Sequence, residues 1–256
     1  MINYTTKNNN QMDYNSEFCN ACENGHLEVV KQLIDLNPLI NKFVDYNCAF
    51  QGACSNGHLE VAKQLVELNP VINQSVDYNF VFVIACWNGH LEVAKWLVSY
   101  LHINISACDN FVYKYACMNG HLEVAKWLVE SYPQINVSAS YNEVFRGTCL
   151  NGRLKVAKWL VDICPSGENV SANYDYVFID TCSNGYLEVA KWLVELYPQI
   201  NISADDNGAF VNACAEGHLE VAKWLVDIRP YCYVLELDQS QTQILSWRIR
   251  PIQEIK

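Results

Sequence analysis

The chain has 256 residues, 51% of them apolar and 18% charged, with a formal net charge of −11. That apolar content supports an ordered core and excludes general disorder, and the acidic balance disfavours a nucleic-acid partner, whose phosphates it would repel. Twelve cysteines would suggest a disulfide framework in a short secreted protein, but seven of them occupy one recurring position, three residues before a glycine, which points to packing. The polar, Asn-rich start from Met1 to Asp13 lacks the apolar stretch of a signal peptide, and no run is long enough to span a membrane. The expectation is a reduced protein of the cytoplasm or nucleus, monomeric, with no membrane partner.

Residues 1–13 read as a flexible leader. Beyond them seven glycines, Gly25, Gly57, Gly89, Gly120, Gly152, Gly185 and Gly217, follow one another at steps of 32, 32, 31, 32, 33 and 32 residues. A period in this range marks a solenoid. The repeats fall at about 14–45, 46–77, 78–108, 109–140, 141–173, 174–205 and 206–230. In the second repeat Asn47 is a candidate N-cap, and a short helix over 48–56 places Phe50, Ala53 and Cys54 on one face. Gly57 ends it, where a positive φ is cheapest for glycine. A second helix over 58–68 buries Leu59, Val61, Ala62, Leu65 and Val66 and turns Glu60, Lys63 and Glu67 outward. Pro70 bars its continuation. The fold class is therefore all-α, a solenoid of about seven helix-turn-helix repeats in which stacking buries what a lone helix pair cannot. The fifth and sixth repeats carry Arg153 and Tyr186 in place of the histidine after glycine. After Pro230 the period is lost. Tyr231 to Leu237 alternates weakly and 238–241 resembles a turn, so 231–256 reads as a terminal cap or tail.

The run Asn-Gly-His-Leu-Glu-Val-Ala-Lys, as at 88–95, closely resembles the second helix of an ankyrin repeat, and the resemblance covers 14–230. The family's Thr-Pro-Leu-His segment is absent; Cys48-Ala49-Phe50-Gln51 stands there in the second repeat. The Phe-x-x-Ala-Cys-x-Asn-Gly and Lys-Trp-Leu strings resemble repeats of large DNA viruses that infect amoebae. The resemblance implies a protein-binding scaffold with no catalytic activity and no cofactor, whose partner is another protein, a host factor if the chain is viral. It also offers an alternative, an adaptor that recruits a ubiquitin ligase through its C-terminal tail. Related repeats can be hydroxylated on the asparagine that matches Asn41, Asn73, Asn136 and Asn201 here, eight residues after a leucine.

Cys-x-Asn-Gly-His recurs, as at Cys54/His58, and thiolate with imidazole suits zinc. Each repeat supplies two such groups, and adjacent helices lie about 8–10 Å apart, too far for one ion. A small buried cysteine and a histidine that hydrogen-bonds between repeats fit better, and no metal is expected. The tryptophans Trp96, Trp127, Trp159, Trp192 and Trp224 share one second-helix position, for packing between repeats or for a contact ridge. Two residues before each glycine the chain varies: Glu23, Ser55, Trp87, Met118, Leu150, Ser183 and Ala215. This position closes the first helix, on the concave side in ankyrin stacks. A run of large apolar residues there points to a partner site centred on Trp87, Met118 and Leu150. Tyr78, Tyr141 and Tyr174 are expected to rim it, and Lys114 and Arg146 to add charge.

Overall fold

A computed structural model describes residues 4–36, 45–69, 77–101, 103, 111–164, 174–241 and 243–250. They form fourteen helices and one hairpin. The first helices of successive repeats are α1 (Tyr4–Glu23), α3 (Tyr46–Ser55), α5 (Tyr78–Trp87), α7 (Phe111–Asn119), α9 (Val137–Leu150), α11 (Tyr174–Ser183) and α13 (Ala204–Ala215). The second helices are α2 (Leu27–Leu36), α4 (Leu59–Leu68), α6 (Leu91–Leu101), α8 (Leu122–Ser131), α10 (Leu154–Ile163), α12 (Leu187–Leu196) and α14 (Leu219–Ile228). The chain divides into two compact units: residues 1–116 with 121–135, and 117–120 with 136–256.

Each helix pair is set by its turn. At Gly57 the backbone has φ +83°. There the Gly57 N–H donates to the Cys54 carbonyl at 3.2 Å and the His58 N–H to Ala53 at 2.8 Å. This is the paired closure of a Schellman motif, and it satisfies carbonyls that would otherwise lack partners. His58 then sits at φ −85°, ψ 70°, and Leu59 N–H donates back to Gly57 at 3.0 Å, a tight three-residue turn that starts the second helix.

The start of α3 differs from the sequence reading. Asp45, not Asn47, is the cap: its side chain accepts from the N–H groups of Asn47 and Cys48 at 3.0 Å each, so the helix begins at Tyr46. The leader expected over 1–13 differs too, because α1 already runs from Tyr4. No proline or glycine interrupts residues 4–23, so nothing in that stretch forces the helix to stop.

The core repeats with the sequence. Phe18, Phe50 and Phe82 in the first unit, and Phe145, Phe178 and Phe210 in the second, are fully buried, with Ala53 and Cys54 among the small residues beside them. The second-helix tryptophan packs on the phenylalanine of the preceding repeat. Trp96 meets Phe50 at 6.2 Å and Trp127 meets Phe82 at 6.4 Å; in the other unit Trp192 meets Phe145 at 6.1 Å and Trp224 meets Phe178 at 6.2 Å. On the outer face of α4, Glu60 and Lys63 pair at 2.7 Å. The pairing recurs at Glu28/Lys31, Glu92/Lys95, Glu123/Lys126, Glu188/Lys191 and Glu220/Lys223. These pairs are exposed, and each contributes roughly 0–1 kcal/mol.

The tail folds onto the last repeat. Strands β1 (Tyr233–Leu237) and β2 (Ile244–Ile249) pair antiparallel, Tyr233 opposite Ile249. Buried Tyr233 stacks on Phe210 at 4.2 Å with 12° between the rings, and Trp247 meets the same phenylalanine edge-on at 6.1 Å. The Tyr233 hydroxyl donates to Asn207 Oδ1 at 3.1 Å. Asn207 ends three consecutive residues of positive φ, Asp205 to Asn207, that kink α13.

Candidate functional site

The exposed face of the first helices carries several large aromatic side chains, and each unit supplies its own part. In the first unit Trp87 closes α5 and is 42% exposed. Its ring stacks on Tyr115 of α7 at 4.2 Å and 30°. Phe111 lies one turn before Tyr115, stacks on it at 6.1 Å and is 55% exposed. Lys114 Nζ stands 5.8 Å from the Phe111 ring centroid, within cation–π range. Phe80, seven residues and two turns before Trp87, is 51% exposed. Phe80, Trp87, Phe111 and Tyr115 thus form an aromatic face on two neighbouring helices.

In the second unit Met118 lies over Gly147, where a Cβ would fall 2.7 Å from its Cε and 2.9 Å from its sulfur. Leu150, Gly147, Val177 and Tyr176 line an open pocket of about 620 Å³, with Glu143 and Arg146 at its polar side. Arg146 Nη2 is 2.8 Å from Asp180 Oδ2 on α11. The sequence reading gave Arg146 as a charge for the partner; the structure places it in an ion pair within the repeat stack.

The tyrosine rim is corrected. Tyr141 is only 4% exposed and stacks on Phe145 at 5.6 Å. Tyr78 meets Phe50 edge-on at 5.8 Å, and Tyr174 meets Phe145 edge-on at 6.3 Å while stacking on Tyr197 at 3.8 Å. Tyr78 and Tyr174 start their helices and meet the phenylalanine of the preceding repeat, so they pack between repeats, while Tyr141 packs within its own helix. Burial pushes the Tyr78 phenol up to about 12, and burial with the Tyr197 neighbour pushes Tyr174 up as well. The residues missed in the sequence are Phe80, Phe111 and Tyr176, nine before their glycines, and Tyr115, five before its own. Their signal was available: nine, five and two before the glycine fall on one helical face.

Cysteine and histidine occupy the same turn but face different neighbours. Burial raises the thiols of Cys54, Cys149 and Cys182, and that of Cys214 to about 12, which keeps them protonated and poor metal ligands. His58, His90, His121 and His218 each rest on the turn glycine of the preceding repeat: a Cβ on Gly57 would fall 2.8 Å from His90 Cε1 and closer still to Nδ1. His90 also hydrogen-bonds the Ser55 backbone, the contact between repeats expected for this position. Tyr186 lies on Gly152 and Arg153 on Gly120 in the same way. Among the described residues no group of three His, Cys, Asp or Glu is placed to hold a metal ion. Asn136 Oδ1 caps α9 by accepting from Ala139 N–H at 3.0 Å, and Asn201 Oδ1 accepts from Ser203 N–H at 3.1 Å. Asn41 and Asn73 lie outside the described residues.

Helix pairs closed by one repeated turn, each seated on the glycine of the pair before it, define a helical repeat solenoid. Two family models match the chain: one described as ankyrin repeats (3 copies), at residues 18–109 and 74–139, and one described as ankyrin repeats (many copies), at residues 178–226. Together they span more than half of the sequence, and the chain is an ankyrin repeat protein. Such proteins are typically not enzymes. Among solved structures it is similar to the crystal structure of human ASB11 ankyrin repeat domain, with 18% identity, 82% of this chain and 96% of that one covered, and a TM-score of 0.47. No curated protein matches. No described helix is long and apolar enough to cross a membrane.

Proposed function

We propose that the chain is a protein–protein interaction scaffold that presents its first-helix face, the concave side in this family, to another protein. The observation that carries the reading is the aromatic face of α5 and α7. Phe80, Trp87 and Phe111 are each more than two-fifths exposed, although the core is completed by Phe82 and Tyr113 beneath them. Exposed aromatics clustered on a rigid support are what binding hot spots are made of, and ordering before binding lowers the entropy lost on contact. Leu150 and the pocket over Gly147 extend the reading to the second unit. The likeness to repeats of amoeba-infecting viruses would make the partner a host protein. The ligase-adaptor alternative has weaker support, because the described tail residues form strands seated on Phe210 rather than a helical recruitment box.

The test is affinity purification from expressing cells with the unsubstituted chain and with Trp87→Ser/Phe111→Ser. The expected outcome is loss of a specific partner with an unchanged circular-dichroism melt. Unchanged partner recovery by the folded double variant overturns the reading.

A further inference from the structure

Seven cysteines belong to the repeat framework, three residues before each glycine. Cys19 and Cys48 do not. Cys19 stands six before Gly25 and Cys48 nine before Gly57, positions that elsewhere hold residues as unlike as Lys114 and Ile179, or Phe80 and Glu143. Of the five cysteines outside the framework, these two stand in adjacent repeats on consecutive first helices.

These two positions meet in space. A Cβ on Gly52 would fall 3.3 Å from Glu23 Cδ and closer to its Cγ, so α1 and α3 pack closely at that level. Cys19 and Cys48 are each four residues earlier, one turn back along the same two helices. The corresponding pair in the second unit is Ile179 and Gly208, where Ile179 Cγ2 is 3.4 Å from a Cβ built on the glycine. The Cys19 and Cys48 side chains are themselves within hydrogen-bond reach of each other, the close approach that a disulfide requires. Both cysteines are also tied to Asp45. The Cys19 thiol donates to the Asp45 carbonyl at 3.8 Å, and Asp45 Oδ1 accepts from Cys48 N–H at 3.0 Å. Cys19 is 8% exposed and Cys48 is exposed. Together with Asn15, Ser16, Asn20 and Glu23 they line an open cleft.

We infer that Cys19 and Cys48 form a dithiol modification site, oxidised by a small-molecule disulfide of the glutathione class to a bond that joins α1 to α3. The exposed Cys48 reacts first. Its thiolate attacks one sulfur of the small disulfide, that S–S bond breaks, and the first small thiol leaves with a proton from solvent. Cys19 then loses its proton to solvent and attacks the Cys48 sulfur, and the second small thiol leaves. Two protein thiols are oxidised and one small disulfide is reduced to two thiols. Cys19 is a poor first nucleophile, since burial and then the neighbouring Cys48 thiol push it up to about 12. In the mixed disulfide Cys48 can no longer carry negative charge, which removes one of the groups opposing ionisation of Cys19. The product fixes the first repeat to the second and withdraws the Cys48 thiol from the exposed helix face.

The test treats the full chain with oxidised glutathione at pH 8, blocks remaining thiols, and maps peptides without reductant. The expected result is a Cys19–Cys48 link, an intact mass lower by two hydrogens, and a higher thermal midpoint than the reduced chain. Cys48→Ser abolishes the link, Cys19→Ser traps a stable glutathione adduct on Cys48, and Cys22→Ser leaves the link in place. A glutathione adduct on Cys48 as persistent in the unsubstituted chain as in Cys19→Ser overturns the proposal. So does an unmodified Cys48, or a link through Cys22 or Cys54. Cys48 is exposed, so its serine variant tests the bond even if Cys19→Ser fails to fold.

Discussion

Gly57→Ala separates two demands that the repeated glycine meets at once. The first is backbone conformation: a Cβ at left-handed φ costs roughly 1–2 kcal/mol. The second is room for the next repeat. At Gly57, φ +83°, the new Cβ would fall 2.8 Å from His90 Cε1 and nearer to Nδ1, so the ring must leave the turn. Losing its hydrogen bond to the Ser55 backbone adds about 0.5–1.5 kcal/mol, and lost packing adds further. The total is roughly 2–4 kcal/mol. Gly217 supplies the control. It has φ +76° and nothing within 4 Å of a built Cβ, so Gly217→Ala carries the strain of about 1–2 kcal/mol alone. Urea unfolding followed by far-ultraviolet circular dichroism measures both, and Gly57→Ala should lower the midpoint about twice as far as Gly217→Ala. Adding His90→Ala to Gly57→Ala should cost less than the two single losses combined. Equal losses for Gly57→Ala and Gly217→Ala would refute the contact between repeats as a source of stability.

Three further outcomes are expected. Iodoacetamide on the native reduced chain should label Cys48 and Cys232 and spare Cys54, Cys149, Cys182 and Cys214, whose burial raises their thiols; peptide mapping reads this, and early labelling of Cys149 would contradict the packing. His90 is held below the ordinary histidine value of 6.5, first by burial and also by His58, against the Ser55 hydrogen bond. The unfolded chain therefore binds the extra proton more readily, so this contribution is complete above about pH 6.5 and is lost as pH falls from there through the folded value. Melts between pH 7.5 and 5.5 should slope less in His90→Gln, and an unchanged slope would exclude His90 as the titrating group. Tyr233→Ala removes the ring stacked on Phe210 and should cost about 3–5 kcal/mol, seen in hydrogen exchange as faster opening of α13 and α14 than of α11 and α12.

The repeat was legible because its turn tolerates few residues. Positive φ at Gly57 is cheap for glycine alone, and Ala53 with Cys54 fits only a close helix approach, so period, turn and second-helix stripe all appear in the string itself. The cap of α3 was less legible. Asp45 and Asn47 both carry a capping oxygen, and which one acts depends on where the backbone turns helical. The site was half legible. Trp87 was found because it breaks the pattern of its column, but Tyr78 was placed on the exposed face and Phe80 was not. These residues are two apart in a helix of 3.6 residues per turn, about 200° around the axis, so a two-residue misjudgement moves a side chain to the opposite face. The Arg146–Asp180 pair joins residues 34 apart, and only the stacking of helices brings them together.

The ion pair between Glu60 and Lys63 has a consequence beyond its small contribution to stability. Because it recurs with the same spacing on five other second helices, those helices offer a visitor the same address six times over. A protein that recognised this motif alone could dock a whole repeat out of place at no cost, and its complex would be a mixture of shifted registers. The fifth repeat, with Lys155 in place of the glutamate, is the exception that gives the outer helices an origin to count from. A single, definite docking position has to be read where neighbouring repeats disagree, as Ser55 and Trp87 do.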